Sequence, residues 1–352
     1  MGLIKNKRYL SLVFFWFAVF SIGGISPHKA MAHDHGSKMG VLIVGHGYFS
    51  ENAKFFGLVD EVKNRLPDYQ VDSGLHMVMD MTTHKMWQTE DEAIRRLEAE
   101  KVEKVVVVPL YMNTDSSTVD VLKWTIGCRV DGEPGKSDYL GEIVDCPGEY
   151  DALNDFCEHM GAIHRRFRPF SDSQYIATNA IDYHPDVSAV LLERAQEFST
   201  EPSNEVILLV GHGDGDDAID QDYRDNVMAK YASDVKGMGG FHDVQYGTIR
   251  EDWCDKRVNA VQEIRDKINA AVNEGHTVIW VELRIASWTN AHKQEWDPPD
   301  CEKLGTKDLL EANKYIKANY LLYKPNSLAD WVVSLVNDAV ANNQYVKCSE
   351  SK

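Results

Sequence analysis

The sequence predicts an α/β protein built as two tandem lobes, each a mainly parallel sheet flanked by helices. Three observations lead there. Residues 41–47 read VLIVGHG, and residues 206–213 repeat them as VILLVGHG. A β-branched apolar run that breaks at Gly-His-Gly is the pattern of a buried parallel strand ending in a tight turn. A second run, KVVVVPLY at 104–111, returns as TVIWVELR at 277–284. Each half also closes alike: residues 175–180 lead through His184-Pro185 into a helix over 187–198, and residues 320–323 lead through Lys324-Pro325 into a helix over 328–341. The residue before a proline avoids helix, and proline suits the first helical turn, so both junctions read as strand, turn, helix.

Between these landmarks, residues 55–66 and 223–230 are helix-like, and the pattern at 244–249 predicts a strand preceding Arg250. Strands alternating with helices require right-handed crossovers and parallel sheets. The expected organisation is a leader over residues 1–32, an N-terminal lobe over 39–200, a linker over 199–204 and a C-terminal lobe over 204–345. The carboxyl ends of the strands are where such sheets place their ligands.

With 352 residues, 43% of them hydrophobic, the chain has ample material for a buried core. Its net charge of −18 disfavours a phosphate backbone as partner, so nucleic acid is excluded and cations are favoured. Lys5, Lys7 and Arg8 precede an apolar run from Leu10 to Ile22, and Ala30-Met31-Ala32 offers a cleavage site. That is the pattern of a secretory signal peptide, which predicts export to a periplasm with no stable membrane insertion after cleavage. In an oxidising compartment the six cysteines (Cys128, Cys146, Cys157, Cys254, Cys301 and Cys348) are expected to form disulfides, Cys128 with Cys146 being the favoured pair.

The candidate chemistry begins with histidines at strand ends. His46 and His212 each follow a buried strand and sit between glycines that let the backbone turn sharply. In the second lobe the loop after residues 277–284 carries His292, placed to approach His212 across adjacent loops. Two neutral imidazoles with open positions suit a borderline divalent ion such as Co, Ni, Fe or Zn. The matching first-lobe loop, residues 113–118, holds no histidine, so lobe 1 reads as a degenerate copy that shapes the cleft. On that reading His46 matters less than His212, unless His76 or His84 partners it.

Together, strand-G-H-G, the V-V-V-P-L strand, the closing His-Pro and the tandem repeat resemble the class II tetrapyrrole chelatases, in particular the sirohydrochlorin cobaltochelatases. The resemblance covers residues 39–343. It implies a chelatase-like fold and insertion of a divalent metal, Co2+ first and Ni2+ or Fe2+ next, into a sirohydrochlorin-type tetrapyrrole as part of cobalamin biosynthesis. His212 and His292 match the family's metal-binding histidines. Insertion replaces two pyrrole N–H protons, so a base is needed; Glu251 is the first candidate and Glu282 the second. Arg250 and Arg284 are placed to pair with the carboxylates of the macrocycle. Export supports an alternative: a periplasmic protein that binds metal, haem or another tetrapyrrole without turnover.

Overall fold

The computed structural model describes residues 38–47, 52–76, 88–114, 119, 122–123, 126, 171–182, 184–250, 253–286 and 305–342. The leader, the favoured Cys128–Cys146 pair, His84, Glu251 and His292 lie outside these residues.

Two four-stranded sheets, all parallel, organise the described chain in the orders β2-β1-β3-β4 and β6-β5-β7-β8. In the first half the elements are β1 (Met39–Gly45), α1 (Asn52–Arg65), β2 (Gln70–Leu75), α2 (Glu90–Ala99), β3 (Lys104–Leu110), β4 (Gln174–Ala177) and α3 (Pro185–Gln196). The second half contains β5 (Glu205–Gly211) and a long helix, α4, made of Asp217–Asp222, a π-helical turn Tyr223–Met228 and Ala229–Gly239. It continues with β6 (Asp243–Thr248), α5 (Cys254–Asn273), β7 (Thr277–Leu283), α6 (Lys307–Glu311), β8 (Ile316–Lys317) and α7 (Pro325–Asn342).

Strands covered on both faces explain why β1, β3, β5 and β7 are apolar without alternation. Alternate residues serve different cores. Leu42, Val44, Val105 and Val107 face α2, and Val206, Leu208, Val210 and Trp280 face α5. The other set, Val41, Ile43, Val106, Ile207, Leu209 and Val281, joins one continuous core shared by both halves. Within that shared layer the last helix of each half crosses over. α3 packs against α4 and β7, and α7 packs against α1 and β3. Trp331 on α7 is wholly buried there. Because each half supplies a helix to the other's sheet, the two cannot separate without exposing this layer to water.

The closing strand of the second half differs from the sequence expectation. It is Ile316–Lys317, paired with Ile279 and Trp280, and Leu321–Tyr323 is a 3-10 turn. The repeat pairs Tyr175 with Tyr315, not with Tyr320. Ile316 stands as far ahead of Pro325 as Ile176 does of Pro185, so Tyr315 is the counterpart of Tyr175. Their hydroxyls are satisfied alike, Tyr175 by Ser171 at 2.5 Å and Tyr315 by Thr306 at 2.9 Å.

Candidate active site at the strand exits

Hydrogen bonds fix which residues correspond at the carboxyl edges of the sheets. His76 N–H donates to Gly45 O and Ile249 N–H to Gly211 O, while Ile181 N–H donates to Tyr111 O and Leu321 N–H to Arg284 O. His46 therefore matches His212, His76 matches Ile249, Tyr111 matches Arg284, and Asp182 matches Leu322.

At the first edge, His46 leaves β1 half-buried with Nδ1 3.4 Å from Gly47 O. A carbonyl can only accept, so Nδ1 carries the proton and Nε2 carries the lone pair. His76 leaves β2 at 8% exposure, its Nδ1 3.3 Å from Oε1 of Glu90, which is itself buried. Here the carboxylate is the acceptor, so Nδ1 carries the proton, and Nε2 is the lone-pair nitrogen when the ring is neutral. Glu90 is set by the start of α2, where Thr89 and Glu92 form a reciprocal cap. The His46 and His76 rings lie 6.3 Å apart between centroids, and Tyr111 stands edge-on to His46 at 6.4 Å. Two imidazoles on adjacent strand exits, one backed by a carboxylate, form an arrangement that can hold a divalent ion loosely. Asp182 completes the edge, accepting the Thr114 N–H at 2.6 Å and joining the exits of β3 and β4.

At the second edge, His212 leaves β5 with Nδ1 3.0 Å from Gly213 O, which fixes the same tautomer as in His46. Trp253 packs edge-on against its ring at 5.5 Å. Gly213 has φ +84°, and a Cβ there would lie 2.6 Å from Asp220 Oδ1. Only glycine allows this approach. Asp220 is buried and accepts the Asp214 N–H at 3.1 Å and the Thr248 hydroxyl at 3.2 Å, tying the turn to β6.

Of the other residues expected at this edge, Arg250, Arg284 and Glu282 are described. Arg250, at φ +46°, folds onto the turn: its Nε donates to Asp214 O at 2.7 Å, its Nη2 to Gly215 O at 3.2 Å, and it pairs with Asp217 at 2.7 Å. Lys256 and then Arg250 hold the Asp217 carboxyl below its ordinary value. Arg284 is buried at the exit of β7, at 8% exposure. Glu282 is fully buried, alternating with Val278 and Trp280 on the α5 side of β7, with Lys317 Nζ 3.9 Å away. The structure thus gathers His212, Arg250 and Arg284 at one edge and sets Glu282 behind the sheet. Cys254, at the start of α5, is disulfide-bonded.

Glu90 was missed from sequence, and His76 was named there only as a fallback partner of His46, not as a residue at a strand exit. Aligning residues 70–76 with 243–249 would have brought His76 to a strand exit, but the polar run QVDSGLH lacks the apolar signature that marks β1 and β3. No group of three or more His, Cys, Asp or Glu placed to hold a metal occurs among the described residues.

This architecture defines a class: an α/β, chelatase-like fold of two lobes, each with a parallel sheet flanked by helices. Among solved structures, SirB from Bacillus subtilis with Fe3+ is similar in fold, with a TM-score of 0.54 and 14% identity over 88% of this chain and 98% of that one. A multi-domain protein from Deinococcus radiodurans, DR2241, described as structurally similar to chelatases, aligns with a TM-score of 0.45 and 14% identity over 85% of this chain and 54% of that one. No protein-family model and no curated protein sequence matches the chain.

Proposed function

We propose that the chain inserts a divalent metal ion into a tetrapyrrole, as a metal chelatase. Co2+ is the first candidate ion, with Ni2+ or Fe2+ next, and a sirohydrochlorin-type macrocycle is the acceptor. The observation that carries this reading is the His46–His76 pair, whose Nδ1 atoms both face oxygen acceptors while the rings lie 6.3 Å apart. A chelatase must hold its ion firmly enough to present it and loosely enough to give it up. Two imidazoles with open positions meet that demand better than a closed four-ligand site. The likeness in fold to SirB, solved with Fe3+, over 88% of this chain and 98% of that one supports a metal-handling reading.

In lobe 1 the ion would rest on His46 and His76, with Glu90 orienting the second ring. A second placement, from the sequence, sets it on His212 and His292 in lobe 2. In either case a base must take the two pyrrole protons, and Glu251 is the candidate. Arg284 and Arg250 are the candidate partners for the macrocycle carboxylates, Arg250 also bonding Asp214, Gly215 and Asp217. Export through the leader in residues 1–32 belongs to this proposal, as does the alternative that export favours: a periplasmic protein that binds metal or a metallated tetrapyrrole without turnover.

Incubating the purified chain with sirohydrochlorin and Co2+, and following the absorption spectrum, tests the proposal. Metallation well above the protein-free rate is expected. A rate equal to that of the protein-free mixture would remove the enzymatic reading.

A further inference from the structure

The opposite pole of the second sheet holds a cluster that the strand exits do not use. Asn204, His242 and His276 each immediately precede a strand, β5, β6 and β7 respectively, and β5 lies between the other two. The His242 and His276 rings stack at 3.8 Å between centroids with 28° between planes. Both are anchored through the main chain: His242 N–H donates to Pro202 O and Glu205 O, and His276 N–H to Ala271 O. His276 Nδ1 lies 3.1 Å from Asn204 Oδ1. An amide oxygen accepts, so Nδ1 carries the proton and Nε2 carries the lone pair.

We propose that His242 and His276 form a second, separate binding site for a borderline divalent cation such as Zn2+, Ni2+ or Cu2+. The two imidazoles lie 3.8 Å apart, and binding requires His242 to turn about its side-chain bonds so that its ring nitrogen and His276 Nε2 face one ion while His276 keeps its Asn204 contact. The Asn204 oxygen supplies the outer-shell acceptor that metal-binding histidines characteristically have. The local field suits a cation: Glu201 and Glu274 are exposed nearby in the chain, and Asp243 follows His242, although Lys236 already pairs with it at 2.8 Å. Water completes the coordination, which makes the site open and exchangeable. Asn204 and His212 are eight residues apart along an extended strand, so this pole lies about 26 Å from the exit edge. An ion here takes no part in events at His46 or His212, and the proposal stands independently of the chelatase reading.

Zinc titration of the full chain at neutral pH, followed calorimetrically, tests it. His242→Ala and His276→Ala are each expected to remove one class of Zn2+ site, lowering its affinity at least roughly tenfold, with Asn204→Ala weakening it less. The same class should persist in His46→Ala and His212→Ala chains. Addition of Cu2+ should broaden the ring resonances of His242 and His276 in the wild-type chain. Zinc isotherms of His242→Ala and His276→Ala that superimpose on wild type, with both rings unbroadened by Cu2+, would overturn the proposal even if metallation at the strand exits proceeds normally.

Discussion

One backbone carries two chemistries at its strand exits. Lobe 1 sets His46, His76, Tyr111 and Asp182 where lobe 2 sets His212, Ile249, Arg284 and Leu322. The strands bearing them share register and connection, so the difference lies in side chains. Among the described residues the first edge gathers two imidazoles and two carboxylates, and the second sets one imidazole with Ile249, Leu322 and Arg284 beside the buried Asp220. Duplication supplies the frame twice, and each copy is then free to specialise: ion handling suits the first edge, and anchoring an anionic ligand suits the second.

The helices after β1 and β5 diverge in a way that can be counted. Asn52, Phe55, Leu58, Val59, Val62 and Leu66 are buried in lobe 1, and Asp220, Tyr223, Val227, Met228, Tyr231 and Val235 in lobe 2. The spacings agree except for one extra residue between Tyr223 and Val227, within the π-helical turn Tyr223–Met228. A π turn accommodates a single inserted residue without losing the buried face on either side. The same alignment places the Asp220 carboxylate where lobe 1 has the Asn52 amide.

The largest effects should come from the imidazoles. If lobe 1 presents the ion, His46→Ala and His76→Ala each lower metallation by on the order of 100-fold, and Glu90→Gln by about tenfold, as outer-shell partners usually do. His212→Ala should then cost far less. The reverse ranking, with His212→Ala the more damaging, would return the ion to lobe 2 and His292. Single-turnover metallation rates decide between them.

A steric contrast comes next. Gly74 and Gly247 occupy matching positions, yet a Cβ at Gly74 would sit 2.5 Å from Glu90 Cα, and one at Gly247 would meet the Ile264 Cδ1 atom at 2.7 Å. Backbone cannot move aside as a side-chain tip can. Gly74→Ala should therefore destabilise by about 1–3 kcal/mol and displace Glu90 from His76, whereas Gly247→Ala stays near the low end of that range. Urea denaturation together with the metallation assay reads both.

Lobe 2 should also be the more acid-sensitive at its strand start. Glu205, the counterpart of Met39, is buried; burial would raise its carboxyl, but the Ser199 hydroxyl and the Glu201 and Thr200 amides outweigh this and hold it below the ordinary 4.5. A depressed carboxyl contributes stability above its unfolded value and loses it as pH falls through its folded value. Glu205→Gln should cost about 1–2 kcal/mol at neutral pH and flatten the stability profile below pH 4.5. Denaturation at several pH values would show it.

Tyr223→Phe should have the smallest effect. The Tyr223 hydroxyl is buried with no hydrogen-bond partner among the described residues, and burial pushes its ionisation well above the ordinary value. Phenylalanine is what lobe 1 has at this place, in Phe55. The substitution should be neutral or stabilise by up to about 1 kcal/mol. A clear loss in thermal midpoint would mean that the hydroxyl has a partner after all.

Much of the frame was legible because buried parallel strands announce themselves. The runs at 41–47, 104–111, 206–213 and 277–284 became β1, β3, β5 and β7, and both prolines began the expected helices. What resisted reading was short or polar. β8 spans two residues and could not be told from the apolar YLLY that follows it. β2 hid His76 in a run of mixed polarity, and Glu90 reaches His76 only because α2 starts beside the end of β2. The reading of lobe 1 as a degenerate copy rests on the loop after β3, which holds no histidine, while the histidine near His46 follows β2.

The most direct test of the central claim is a turnover count. With sirohydrochlorin and Co2+ in large excess over the chain, the spectrum reports how many macrocycles each chain metallates. The account requires many events per chain, released product, and a rate that collapses when the presenting histidine pair is removed, since an enzyme cannot hold product as tightly as the transition state. A single event per chain, with the metallated macrocycle retained through dialysis, would contradict it and leave a binding protein in its place.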